Sequence, residues 1–154
     1  MTAQLRVQQG GSGEPVLLLV HGLGATGDVW SGLHDILNAR WRGRWVTPDL
    51  PGHGRSSPLA RYSFGHLAAA VAETVPPVSR VIVLGHSLGG VVALSLASGW
   101  FGVRVSAVCG LAIKVEWTVE DLARAQALSS RPNPVYRTRG EAGERDLRLA
   151  GVAG

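Results

Sequence analysis

The sequence has a single cysteine and no long hydrophobic run, and each shortage excludes a class of protein. One thiol, Cys109, cannot form an internal disulfide. Because Cys109 lies in the apolar segment 105–113, we expect a buried small hydrophobic residue there. The longest aliphatic run, residues 16–20, is far shorter than the roughly 20 residues that cross a bilayer. Residues 1–13 lack the basic and apolar regions of a secretory signal, so we expect a cytoplasmic protein with no membrane partner.

Acidic residues are also in short supply: 11 Asp and Glu stand against 15 Lys and Arg, which gives a net charge of +4. The arginines are spread along the chain and are densest at residues 40–45, where tryptophans alternate with them. Such a pattern occurs in nucleic-acid-binding segments, but cations also stabilise a helix C-terminus. Since no nucleic-acid-binding motif accompanies the charge, we expect no nucleic-acid partner.

Short apolar runs separated by helical periodicity predict an α/β fold. Unbroken apolar runs are typical of strands buried in a parallel sheet. They occur at residues 16–20, 81–84 and 105–113, with a weaker strand at 44–48. The segments between them have helical spacing, with Ser63 as a predicted N-cap. The sequence therefore predicts a mostly parallel sheet with helices on both faces.

The character of the chain changes after Lys114. Residues 117–130 predict an amphipathic helix with Thr118 as its cap, a proline-rich break follows at 131–134, and residues 140–150 predict a further helix. We therefore expect residues 1–114 to form one part of the protein and residues 115–154 another.

Gly85-His86-Ser87-Leu88-Gly89 is the strongest functional motif of the chain. The G-x-S-x-G pattern follows a predicted strand and begins a predicted helix, which is the context that a nucleophile elbow requires. The sharp turn exposes the serine hydroxyl, and glycines two residues before and after let strand and helix backbones approach. The helix N-terminus provides N–H groups for a developing oxyanion.

Two further segments agree with this motif. His21-Gly22-Leu23-Gly24 follows the first strong strand, and residues 49–56, Asp-Leu-Pro-Gly-His-Gly-Arg-Ser, follow the next. With the elbow, they make the chain resemble the α/β-hydrolase family of serine hydrolases. The resemblance implies Ser87 as catalytic nucleophile and the backbone N–H groups of Leu23 and Leu88 as the oxyanion hole. It gives structural roles at the elbow to His21, Gly22, Gly85, His86 and Gly89, and it implies a small-molecule acyl substrate with no cofactor and no metal.

The family order along the chain is serine, acid, histidine. All five histidines of this sequence precede Ser87, so we expect an N-terminal part of a hydrolase in which residues 115–154 begin a cap or lid. The triad acid is left unassigned. Serine at the elbow, where haloalkane dehalogenases and epoxide hydrolases use Asp, leaves the esterase, lactonase, C–C hydrolase and cofactor-free haloperoxidase branches open. If the later strands of the family fold are missing, the strand 105–113 pairs on one side only and its outer backbone N–H and C=O groups stay unpaired. We therefore expect self-association through this edge.

Two alternatives remain at this point. One is a non-catalytic or vestigial module that keeps the elbow without its base. The other is a dinucleotide-binding protein, because Gly22, Gly24 and Gly27 spell G-x-G-x-x-G after a strand and Asp49 follows the next strand. The dinucleotide interpretation leaves the serine motif unexplained.

Overall fold

A computed structural model describes residues 3–77, 79–132 and 134–149. Strands and helices alternate along most of the chain, as the apolar runs predict. The strands are β1 (Val7–Gly10), β2 (Val16–Val20), β3 (Trp45–Pro48), β4 (Arg80–His86) and β5 (Arg104–Leu111). The helices are a 3-10 turn (Gly27–Trp30), α1 (Ser31–Arg40), α2 (Phe64–Ala72), α3 (Leu88–Ala97), α4 (Val119–Ser129) and α5 (Arg139–Leu149).

The sheet has the order β1-β3-β2-β4-β5. Strands β3, β2, β4 and β5 are parallel, and β1 is antiparallel to β3. The chain moves outward from β2 to β3 and then returns to the other side of β2 for β4. The strand order thus reverses at β2, and ligands of open α/β sheets bind at such a reversal, beyond the carboxyl ends of the strands.

Strand β1 is the one strand that the sequence does not predict. Its residues, Val-Gln-Gln-Gly, have no apolar run and lie half-exposed at the edge of the sheet. Their pairing with β3 depends on backbone hydrogen bonds, which leave no signal in the side-chain pattern.

Helices pack on both faces of the sheet, as predicted. On one face, Leu18 and Val83 belong to a buried cluster with Val71 of α2 and Leu96 of α3. On the other face, the ring of Trp45 stacks on His34 of α1 with 4.3 Å between centroids. The indole of Trp45 also donates a hydrogen bond to Asn38 at 2.8 Å. The alternating side chains of the strands supply both faces.

Strand β5 pairs with β4 and, within the described residues, with no other strand. A bulge at Ser106 shifts its register, and the Ser106 hydroxyl donates to the Val81 carbonyl at 3.0 Å. The prediction that Cys109 is buried is wrong: Cys109 is exposed. An apolar run does not say whether both faces of its strand are covered, and the face that carries Cys109 is open along β5.

The chain divides into two compact units, Met1–Ile113 and Lys114–Gly154. In the second unit, the Thr118 side chain caps α4, as the sequence predicts. The structure adds a capping box, in which the Asp121 side chain accepts from the Thr118 N–H. Helix α5 covers most of the predicted helix 140–150, whose last residue lies outside the described residues. In the part of the chain that the structure describes, no helix combines the length and apolarity needed to cross a bilayer.

Candidate active site

Ser87 occupies a strained turn between β4 and α3. Its φ of 51° and ψ of −115° lie in a region that costs a non-glycine residue roughly 1–3 kcal/mol. The surrounding backbone holds the turn: the Ser87 N–H donates to the Leu111 carbonyl at 2.8 Å, and the Ser87 carbonyl accepts from the Gly90 N–H at 2.9 Å. Ser87 as a whole is half-buried and lies directly before the first turn of α3.

The glycines on either side of Ser87 allow this turn to form. A Cβ on Gly85 would lie 2.5 Å from the carbonyl carbon of Gly89, and a Cβ on Gly89 would lie 2.6 Å from the His21 carbonyl oxygen. Real Cβ atoms do not approach backbone so closely, so the first turn of α3 can reach β4 and β2 only if both positions lack a side chain.

The loop after β2 lies directly against the elbow. A Cβ on Gly22 would be 3.3 Å from the Cβ of Ser87 and 2.9 Å from Nδ1 of the exposed His86. The structure therefore brings together the His21–Gly24 and Gly85–Gly89 segments, which are more than sixty residues apart in sequence. They meet at the carboxyl ends of β2 and β4, where the strand order reverses.

His21 is fully buried and links the loops after β2 and β3. Its Nε2 accepts a hydrogen bond from the Leu50 N–H at 2.9 Å, so the ring proton resides on Nδ1, which donates to the Gly22 carbonyl at 2.8 Å. Burial lowers the pKa of His21, and the charge of the neighbouring His53 acts in the same direction. The two rings meet edge to face at 5.2 Å. Burial therefore favours the neutral form of His21, and both ring nitrogens bond to backbone groups.

Asp49 organises the turn that follows β3. Its buried carboxylate accepts from the Gly27 N–H at 2.8 Å and from the Arg55 N–H at 3.2 Å, and it pairs with Arg6 at 3.3 Å. These bonds occupy the oxygens that the dinucleotide interpretation assigns to a ribose. The strand order also contradicts that interpretation, because β4 lies beside β2 instead of beyond β3.

A cavity of about 570 Å³ opens beside the elbow. Leu23 and Leu88, whose N–H groups the sequence resemblance assigns to an oxyanion hole, both line it. Within the described residues, neither N–H donates to a protein hydrogen-bond acceptor. The remaining lining comes from the turn after β3 and the start of α2: Pro51, Gly52, His53, Tyr62, Ser63, Phe64 and Leu67.

Sequence reasoning missed Tyr62 and Phe64 as site residues. Their signal in the sequence is a pair of aromatic residues flanking the predicted cap Ser63, a few residues after the 49–56 turn. Of the other histidines, His34 stacks on Trp45, and His66 lies 2.9 Å from the Ser63 hydroxyl at the start of α2. His53 alone of the five lines the cavity, and its Nδ1 lies 3.1 Å from the Pro51 carbonyl oxygen.

Comparison with known proteins agrees with the α/β fold of the chain. Residues 17–152 match the model of the alpha/beta hydrolase family. The chain belongs to the alpha/beta hydrolase family. Its fold is also similar to the thioesterase domain from the curacin biosynthetic pathway, with a TM-score of 0.70 and 28% identity over 97% of this chain and 58% of that domain.

Curated relatives match this chain over only a part of their own length. An uncharacterized protein of Mycobacterium tuberculosis is 42% identical over 56% of this chain and 26% of its own length. A pimeloyl-[acyl-carrier protein] methyl ester esterase of Methylococcus capsulatus is 42% identical over 60% of this chain and 35% of its own length. The matched region thus spans between about a quarter and about a third of these relatives. The family and its esterase-like character follow from these likenesses.

Proposed function

We propose that the chain carries the nucleophile and oxyanion hole of a serine hydrolase that cleaves esters or related acyl compounds. The observation that carries this proposal is the backbone of Ser87, which adopts φ 51° between a parallel strand and a helix N-terminus. Such strain persists where the surrounding structure enforces it, and it is concentrated at functional sites. A serine with only a structural role in a turn has no need of this conformation.

In the proposed reaction, the Ser87 Oγ attacks the acyl carbonyl carbon while a base takes the hydroxyl proton. The carbonyl oxygen becomes an oxyanion that accepts hydrogen bonds from the Leu23 and Leu88 N–H groups. The carbon–oxygen bond to the leaving group then breaks, the leaving alkoxide receives the proton, and an acyl-serine remains. Attack by water on that ester releases the acid and restores the hydroxyl. Removal of one oxyanion-hole donor of this kind lowers the rate of the reaction by a factor of ~10²–10³.

The base and its acid partner are proposed to come from outside this chain, as parts of a longer protein. Two observations support this. Every histidine of the sequence precedes Ser87, whereas the family order puts the catalytic histidine after the nucleophile. The chain also matches only 26% and 35% of the length of the two relatives described above. The relative from Methylococcus capsulatus makes a carboxylic ester the first substrate class to test.

A fluorophosphonate probe tests the proposal, since it labels serines that are activated for attack. We expect strong labelling of Ser87 in a longer product of the same gene that supplies the base. Labelling should be lost in Ser87→Ala and retained in Ser98→Ala, which removes an exposed serine from the end of the same helix. The 154-residue chain alone should hydrolyse p-nitrophenyl acetate only slowly. We expect a rate about 10³–10⁴ times that of the uncatalysed reaction in water, which is the acceleration that remains when a triad member is missing. Absence of labelling in the longer product would leave a non-catalytic binding module as the function.

A further inference from the structure

The cavity beside the elbow is lined almost entirely by apolar side chains. No Asp, Glu, Lys or Arg is among the described residues that line it. Three of its apolar side chains are also well exposed: Leu23 is 78%, Tyr62 53% and Phe64 54% exposed. Exposed apolar side chains that converge on one concavity mark a binding site for an apolar group.

The position of the cavity relates this apolar surface to the proposed chemistry. Leu23 and Leu88, whose backbone N–H groups form the proposed oxyanion hole, both line the cavity. A carbonyl oxygen held by those N–H groups would therefore have the cavity directly beside it. The buried side chain of Leu67 closes the cavity on the side of α2. A chain attached to the carbonyl carbon would extend into this apolar cavity, which Leu67 also lines.

The aromatic wall of the cavity is held in place by specific contacts. The Tyr62 hydroxyl accepts a hydrogen bond from the Leu59 N–H at 3.1 Å and lies against Gly52, where a side chain would collide with it. Ser63 caps α2 by accepting from the His66 N–H at 3.1 Å, which fixes the start of the helix at Phe64. Tyr62 and Phe64 thus belong to a segment that hydrogen bonds hold in place. A cavity wall of this kind is able to select among ligands by size and charge.

We infer that the cavity is the subsite for the acyl chain of the substrate, that this chain is uncharged and aliphatic, and that Phe64 is a residue that determines its selection. The inference rests on the proposed hydrolase function, because it assumes that the carbonyl is held at Leu23 and Leu88. Burial of each methylene in an apolar site is favourable, whereas a terminal carboxylate would have to be desolvated there without a cationic partner.

Binding of inert ketones to the Ser87→Ala variant of the 154-residue chain separates recognition from catalysis. Butan-2-one, octan-2-one and 7-oxooctanoate share a methyl ketone and differ in chain length and terminal charge. Titration followed by nuclear magnetic resonance should give octan-2-one an affinity at least tenfold above that of the other two. The signals that shift should include those of Leu67 and Phe64. Equal binding of butan-2-one and octan-2-one, or tighter binding of 7-oxooctanoate, would overturn the inference.

Phe64→Glu tests the role of the wall, with Leu94→Glu as its control. Both positions are half-exposed apolar residues in helices, at 54% and 51%, and Leu94 does not line the cavity. An acid in the first turn of α2 is favourable to the helix, so Phe64→Glu should fold. It should weaken octan-2-one binding at least tenfold, whereas Leu94→Glu should leave it unchanged. Unchanged binding in Phe64→Glu contradicts the assignment of Phe64.

The two proposals fail in different ways. If the longer product is not labelled by the fluorophosphonate but octan-2-one binds the cavity selectively, the hydrolase proposal falls and the cavity is an apolar ligand site of a binding module. If labelling occurs and the ketones show no selectivity, the hydrolase proposal stands and the acyl-subsite inference falls.

Discussion

Nε2 of His21 accepts a hydrogen bond from the backbone N–H of Leu50 at 2.9 Å. The bond joins the loop after β2, which carries Leu23, to the loop after β3, which forms part of the cavity wall. Because His21 is buried and neutral in this arrangement, the bond also makes the stability of the site dependent on pH.

We predict that stability falls as the pH drops below about 6.5, the ordinary pKa of a histidine. Burial holds the pKa of His21 below that value in the folded state. Above pH ~6.5 the ring is neutral in both states, and no penalty arises. Below it, the unfolded chain takes up a proton that the folded chain resists. The free energy of unfolding therefore falls by up to about 1.4 kcal/mol per pH unit until the folded-state pKa is reached.

Urea unfolding between pH 5 and 8 measures this slope. His21→Gln should be less stable at pH 8 because it loses the bond to Leu50, but it should show a shallower decline toward pH 5. His66→Gln, which removes an exposed imidazole, is the matched control. If the decline is as steep in His21→Gln as in the parent, His21 is not the group responsible.

Gly89→Val should destabilise the protein far more than Ser87→Ala. A side chain at Gly89 meets the Val20 and His21 carbonyls, and overpacking of such a contact costs roughly 1–3 kcal/mol. Gly32→Val is a close control, since Gly32 is likewise the second residue of a helix but has open space around its Cβ position. Urea midpoints and soluble yields compare the three variants. A Gly89→Val variant as stable as Gly32→Val would contradict the tight contact between α3 and β2.

Asp49→Ala should lower the free energy of unfolding by roughly 1–3 kcal/mol, the usual cost of leaving buried hydrogen-bond donors without their acceptor. It would leave the Gly27 and Arg55 N–H groups and the Arg6 guanidinium without the carboxylate they share. Asp28→Ala removes the other carboxylate bound to Arg6, at 3.0 Å, but that side chain is 63% exposed. We expect little change there, because solvent screens exposed pairs. Similar losses in the two variants would show that Asp49 is not the organising group.

We propose that the chain self-associates through the open edge of β5. Unpaired backbone groups on an edge strand are able to pair with a second copy, and a lysine on such an edge opposes pairing. Ala107→Lys, at an exposed position of β5, should therefore shift the weight-average mass toward the monomer in sedimentation experiments. Trp100→Lys adds the same charge at an exposed apolar position outside the strands. A strict monomer at all concentrations in the parent chain would refute the proposal.

The local features of the site could be predicted from the sequence. The strand before Ser87, the helix after it and the glycines on both sides follow from periodicity and from the conformational needs of a sharp turn, which depend on neighbouring residues. The Ser63 and Thr118 caps follow for the same reason, since a cap bonds within its own first turn. The hydrogen bond from the Arg55 N–H to Asp49 is also of a kind that the sequence allows one to predict, because acidic residues at turns accept bonds from nearby N–H groups.

Features that depend on distant contacts could not be predicted. The exposure of Cys109 depends on what covers β5, and the strand β1 depends on a backbone ladder with β3. Tyr62 and Phe64 line the cavity because the fold brings their segment close to Leu23 and Leu88. The aromatic pair around Ser63 is visible in the sequence, but it does not by itself indicate that contact.

The sequence by itself determined that this protein has a strained serine turn within an α/β fold, because that turn requires particular residues at fixed spacing. The tertiary structure decided what surrounds the serine. It placed the His21–Gly24 loop against the elbow and formed an apolar cavity lined by Leu23 and Leu88. It also buried His21 where its ring accepts a hydrogen bond from the Leu50 N–H. These relationships join residues from 29 to 65 positions apart, and only the packing of strands and helices brings such residues together.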